Sequence, residues 1–215
     1  MSMEILSRSA ALHGAAVACM KGAVPADHPR TLAAYQCALM SVEHAAGAVA
    51  LLTIGMPNAA MALFRPQFES LMRCVWLLEA ADERWVRQFH AADVETGDSP
   101  ALADMIEALL QLEDPRSRDI VEHLDAYRLQ GLGAIGVLTQ GGMRPMARLG
   151  QGAANEQLEA LVRCANGLVC HAAQMAALIS ADPSAAMQAV QSLRGAFVDC
   201  LPVDCRPVDS MPSAG

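Results

Sequence analysis

The chain has 215 residues, 53% of them hydrophobic and 18% charged, with 15 Lys plus Arg against 23 Asp plus Glu for a formal charge of −8. That length suits one domain or two small ones, and so much apolar surface excludes disorder over most of it. The acidic balance excludes generic nucleic-acid binding, which needs basic charge to displace counterions, so DNA is not an expected partner.

Abundant alanine and the scarcity of alternating β-branched runs predict helices throughout. The first is predicted over residues 3–21. Within it Ala16-Val17-Ala18-Cys19 faintly resembles a lipoprotein site, but His13 interrupts the apolar run that export requires. A loop through Val24-Pro25-Ala26-Asp27-His28-Pro29 leads to a second helix over 31–54. Residues 45–64 carry no charge and are long enough to span a bilayer. Gly55, Pro57 and Asn58 split that run, so two buried helices meeting at a turn are expected and no membrane association. A third helix is predicted over 59–78, extending or bending into 82–91. Ser99 and Pro100 form an N-cap and first helical position for a helix to about 112. Asp114-Pro115 repeats the device for a helix to about 130. Residues 131–152 are glycine-rich and yield no clear element. Asn155 caps a long helix to about 180, and Asp182-Pro183 starts the last, to about 199. Residues 1–200 read as one helical domain and 201–215 as a disordered tail of prolines and small polar residues.

The third helix carries the clearest pattern. Phe64, Phe68, Leu71, Val75 and Leu78 make one apolar seam. Arg65, Glu69 and Arg73 form a second stripe beside it, within about 80° of the helix circumference at about 100° per residue. A carboxylate between two guanidiniums stays ionised, and the guanidiniums keep spare donors for an anion. Pro66 leaves a carbonyl near Ala62 unpaired and predicts a kink there.

Other signals are weaker. Gly131-Leu132-Gly133-Ala134-Ile135-Gly136 spells G-x-G-x-x-G, but a helix precedes it where a dinucleotide site needs a strand, so close helix packing is expected and no cofactor. No Glu has a His three residues later, no C-x-x-C occurs, and Asp119 with His123 is too little for a metal, so none is predicted. Cys164, Cys170 and His171 share one helix and read as core. Seven cysteines, an odd number at irregular spacing, make no disulfide framework and suit a reducing cytoplasm. HEPN-type ribonucleases pair an Arg with a His a short way downstream. The candidates here are Arg8–His13, Arg84–His90, Arg116–His123 and Arg118–His123, with catalysis resting on Arg84, His90 or His123.

The stretch from Phe64 to Leu78 reads R-P-x-x-E-x-x-x-R-x-x-W from Arg65 to Trp76. It resembles an uncharacterised bacterial all-helical family, similar in layout to HEPN-like bundles, over about residues 5–180. That resemblance implies a second polar segment, here residues 134–142, in which Gln140 stands where a His is common and Gly136 where an Asn is common. Arg148 is similar to a further family Arg. Glutamine hydrogen-bonds but does not titrate, so a binder rather than an enzyme is implied.

The expected fold is therefore all-α, a mostly antiparallel HEPN-like bundle of about six or seven helices. The low charged fraction suits a homodimer. The leading functional expectation is a non-enzymatic cytoplasmic module in bacterial stress or phage defence. Arg65, Glu69, Arg73, Gln140 and Arg148 would line an internal pocket for a small anionic ligand or a partner protein. The alternatives are a HEPN-like ribonuclease or toxin, the one case with RNA as partner, and a purely structural interaction protein.

Overall fold

A computed structural model describes residues 2–90, 100–139 and 151–203, with the side chains of 88–90 and 151–153 outside the described set. The described residues form nine α-helices and one 3₁₀ turn, and no strand. They are α1 (Met3–Gly22), α2 (Pro29–Thr53), α3 (Pro57–Ala62), α4 (Phe64–Glu79), α5 (Glu83–His90), α6 (Leu102–Leu110), α7 (Pro115–Thr139), α8 (Gln151–Leu178), α9 (Pro183–Ala196) and the turn Val198–Cys200. The all-α expectation is met. Several helix starts have local chemistry behind them. The Ser2 side chain accepts from the Glu4 amide at 3.1 Å, and Asp182 accepts from Ala185 at 3.2 Å with Pro183 at the first position. Asp114 accepts from the Arg116 amide at 3.1 Å ahead of Pro115.

The α8 helix begins at Gln151, so Asn155, expected as its cap, lies inside it, and three further boundaries differ from expectation for identifiable reasons. The predicted third helix is two, because α3 ends at Ala62 and α4 begins at Phe64. Pro66 falls in the first turn of α4, where a missing amide hydrogen leaves no helical bond unmade. The α6 helix starts at Leu102 rather than at Pro100, with Asp104 accepting from the Ala101 amide at 3.3 Å. The α7 helix runs on through the glycines to Thr139. Its Leu124, Tyr127, Gly131, Ala134 and Leu138 are buried at three- and four-residue spacing, and that packed face outweighs weak glycine propensity.

The central element is α4, buried over most of its circumference between Leu71 and Leu77. Phe64, Phe68, Leu71 and Val75 of the predicted seam are buried. The α2 helix lies along it with small residues, Ala34, Cys37, Ala38, Ser41 and Ala45, which permit close approach. The α8 helix backs α1, α2 and α7 and is buried almost continuously from Cys164 to Cys170. The uncharged run 45–64 is divided among α2, α3 and the start of α4, with Gly55 at φ +79° making the turn. Among the described residues no helix is long and apolar enough to cross a membrane. Cys19 lies within α1, half-buried against α9.

The loops before α2 and before α9 are joined by an isolated antiparallel bridge between Pro25 and Ser180. Leu201 and Pro202 are buried, so the packed domain reaches beyond residue 200. The remainder of the expected tail, from residue 204, lies outside the described residues.

Candidate functional site

Among the described residues, the stripe on α4 is open at its Arg65 end. Arg65 Nε donates to Glu69 Oε1 at 2.6 Å, but the Arg65 side chain is 76% exposed and that of Glu69 34%. One turn further, Arg73 is half-buried and acts on Cys37 of α2. Burial raises the Cys37 thiol pKa to about 11, and the Arg73 charge pulls it down. The stripe therefore runs from open surface into the α2–α4 seam. At Arg65 the expected stripe is an ion pair on the surface. Arg65 sits at the start of α4, before the helix is packed on all sides. Gln140 and Arg148 lie outside the described residues.

Of the Arg–His pairs, Arg8–His13 is pulled apart. Arg8 holds Asp199 at 2.6 Å and stacks 4.5 Å over the Phe197 ring, while His13 is buried on another face of α1. Arg84 is exposed, and the His90 side chain is outside the described set. Five residues turn a helix by about 140°, so Arg8 and His13 do not share a face.

His13 belongs to a buried network. Asn166 Nδ2 donates to the Cys200 carbonyl at 2.9 Å and to Ser9 Oγ at 2.8 Å, and Ser9 donates to the Ile5 carbonyl at 2.7 Å. A carbonyl only accepts, so the amide orientation is fixed and Asn166 Oδ1 faces His13 Nε2 at 2.9 Å. That nitrogen therefore carries the proton. Nδ1 is buried with no partner among the described residues, and burial lowers the His13 pKa. The network, with Arg8 and Arg163 donating to Ala196 and Asp199, pins the C-terminal turn to α1 and α8. Its task is structural.

A concave site lies elsewhere, between α7, α8 and α9. The cleft holds about 190 Å³ and opens between Asp119 and His123 of α7, His171 and Gln174 of α8, and Arg194 of α9. Ile120, Leu124 and Met175 supply its apolar wall. The His171 ring lies 5.9 Å from that of His123 and 5.7 Å from that of Tyr127, centroid to centroid. Burial, with the Arg194 charge and the His123 ring beside it, lowers the His171 pKa to about 3, so the imidazole is neutral. Arg194 Nη2 lies 3.4 Å from His171 Nε2, a long hydrogen bond in which the guanidinium donates to the neutral ring. Arg194 is half-buried, and no carboxylate pairs with it among the described residues. The Gln174 amide oxygen is buried with no partner among the described residues.

Sequence spacing exposes only Asp119 and His123, four apart on α7. His171, Gln174 and Arg194 arrive from two other helices, and nothing local joins them to the first pair. His171, expected as plain core, borders this cleft. Among the described residues no group of three His, Cys, Asp or Glu could hold a metal ion.

A family model described as a family of unknown function (DUF6988) matches residues 38–203. No curated protein and no solved structure matches the chain.

Proposed function

The chain belongs to that family of unknown function, and we propose its role from its own geometry: a non-enzymatic helical module that binds a small anionic ligand, with Arg194 as the recognising cation. The observation that carries this reading is a half-buried guanidinium facing a cleft without a carboxylate partner. A desolvated cation gains most from an anion that restores its lost interactions, and a planar guanidinium reads a carboxylate or phosphate through two parallel bonds. The neutral His171 orients Arg194 without adding a charge beside it. His123, exposed at the mouth, adds a second donor. The size of the cleft supports a small ligand over a partner protein, since about 190 Å³ is room for about six waters at ~30 Å³ each.

The test is a titration with acetate and with inorganic phosphate, followed by NMR at the His123 and His171 ring protons. Saturable shifts are expected in the native chain and not in Arg194→Gln. Equal shifts in both would end the reading.

The layout is read as HEPN-like and the setting as the bacterial cytoplasm, in stress or phage defence. Arg in preference to Lys, with the cysteines among the described residues all free, supports that placement. A homodimer is part of the proposal. Leu129 and Leu132, exposed at 58% and 38% on one face of α7, support it. The ribonuclease alternative has one favouring observation, the two imidazoles 5.9 Å apart with an arginine beside them. It requires RNA cleavage that disappears in His123→Ala.

A further inference from the structure

We propose that the ligand of the α7–α8–α9 cleft is a small zwitterion, an amino carboxylate whose carboxylate meets Arg194 and whose ammonium meets Asp119. The inference rests on the anion-binding reading above and narrows it to a chemical class.

Two opposite charges face the cleft, Arg194 from α9 and Asp119 from α7. They do not pair with each other. The four salt bridges among the described residues join Arg8 to Asp199, Arg30 to Glu83, Arg65 to Glu69 and Arg128 to Asp125. Asp119 takes part in none of them, and neither does Arg194. The remaining titratable groups lining the cleft are His123 and His171, with the Tyr127 ring edge-on to the first and tilted against the second. A cation and an anion held apart across one hollow present a split ion pair, and a molecule carrying both charges completes each half.

Charge balance separates the ligand classes. One arginine and one aspartate make the cleft neutral as a pair. A phosphate dianion would leave two negative charges in excess there, set beside the Asp119 carboxylate. A simple carboxylate satisfies Arg194 alone. A zwitterion leaves no excess at either end. The methylenes between its charges have a place against Ile120, Leu124 and Met175. The volume of about 190 Å³ restricts it to a short chain.

The test uses matched pairs in the full chain: glycine against acetate, 3-aminopropanoate against propanoate, 4-aminobutanoate against butanoate. Each Kd is read by NMR titration of the native protein, Asp119→Asn and Arg194→Gln. Asp119 is exposed, so its amide variant is expected to fold, which an unchanged melting curve checks. At one length or more the amino carboxylate should bind about tenfold tighter than its partner. Asp119→Asn should erase that ratio while keeping the carboxylate Kd, and Arg194→Gln should weaken both members. Carboxylates that bind with no amino advantage at any length overturn the zwitterion and leave the anion site standing. An advantage that survives Asp119→Asn does the same. Absence of binding by every carboxylate overturns both.

Discussion

Three glycines on α7 offer a test of opposite signs on one helix. A Cβ built at Gly131 would stand 2.2 Å, 2.4 Å and 2.9 Å from three atoms of the Phe64 ring. The ring is itself 2% exposed, wedged at the start of α4, and has little room to retreat. Reaching ordinary contact demands a shift of more than about 1 Å, and overpacking of that kind costs about 1–3 kcal/mol, toward the upper end for an enclosed ring. The better helix propensity of alanine returns about 1 kcal/mol. Gly131→Ala should therefore lose about 2 kcal/mol net. Nothing lies within 4 Å of a Cβ at Gly133 or Gly136, so each of those alanine variants should gain about 0.5–1 kcal/mol. Thermal unfolding by circular dichroism would separate them, with the melting temperature lowered by roughly 4–8 °C for Gly131→Ala and raised by a few degrees for the others. Phe64→Leu should partly rescue Gly131→Ala, giving a coupling of about 1–2 kcal/mol in the double-mutant cycle. If Gly131→Ala matches Gly133→Ala in stability, the packing account of the G-x-G-x-x-G stretch is wrong.

Further predictions follow from the buried polar groups and the exposed face of α7. Asn166→Leu leaves the Cys200 carbonyl and the His13 Nε2–H unpaired in the interior, and should lose about 3–5 kcal/mol in urea unfolding; a loss under about 1 kcal/mol would remove the network as a stabiliser. His171 has a folded pKa of about 3 against an ordinary 6.5, so the unfolded chain takes up protons first as pH falls. Its contribution is fully present above pH 6.5 and declines below it, by up to about 2 kcal/mol at pH 5, with His13 acting in the same direction. A His171 ring resonance that titrates between pH 6 and 7 would contradict this. Leu132→Asp should convert a dimer into a monomer in light scattering, and a native chain already monomeric at ~10 µM would retire the dimer.

What could be read in the sequence was local. Asp114-Pro115 and Asp182-Pro183 mark helix starts because cap and proline act within one turn, and both starts are found in place. The seam from Phe64 to Val75 is legible for the same reason, since helical period alone puts those residues on one face. The continuation of α7 was hidden, because Gly131 is helical through contact with Phe64, some 67 positions away. The pairing of Arg65 with Glu69 was visible in their spacing, whereas their depth depended on where α2 packs. The cleft was the least visible. Asp119 and Arg194 lie 75 positions apart, and no periodicity connects residues on three different helices.

The first helix has a practical bearing on how this protein is handled. Leu6, Leu12, Ala16 and Met20 are buried, and Arg8, Ser9 and His13 reach the chain's C-terminal turn or the asparagine that holds it. A clone shortened to begin at α2 would strip an oily strip of α8 bare and release the far end of the molecule at once. Such a product is headed for inclusion bodies, and any solubility screen should keep α1 attached or supply it as a peptide in trans.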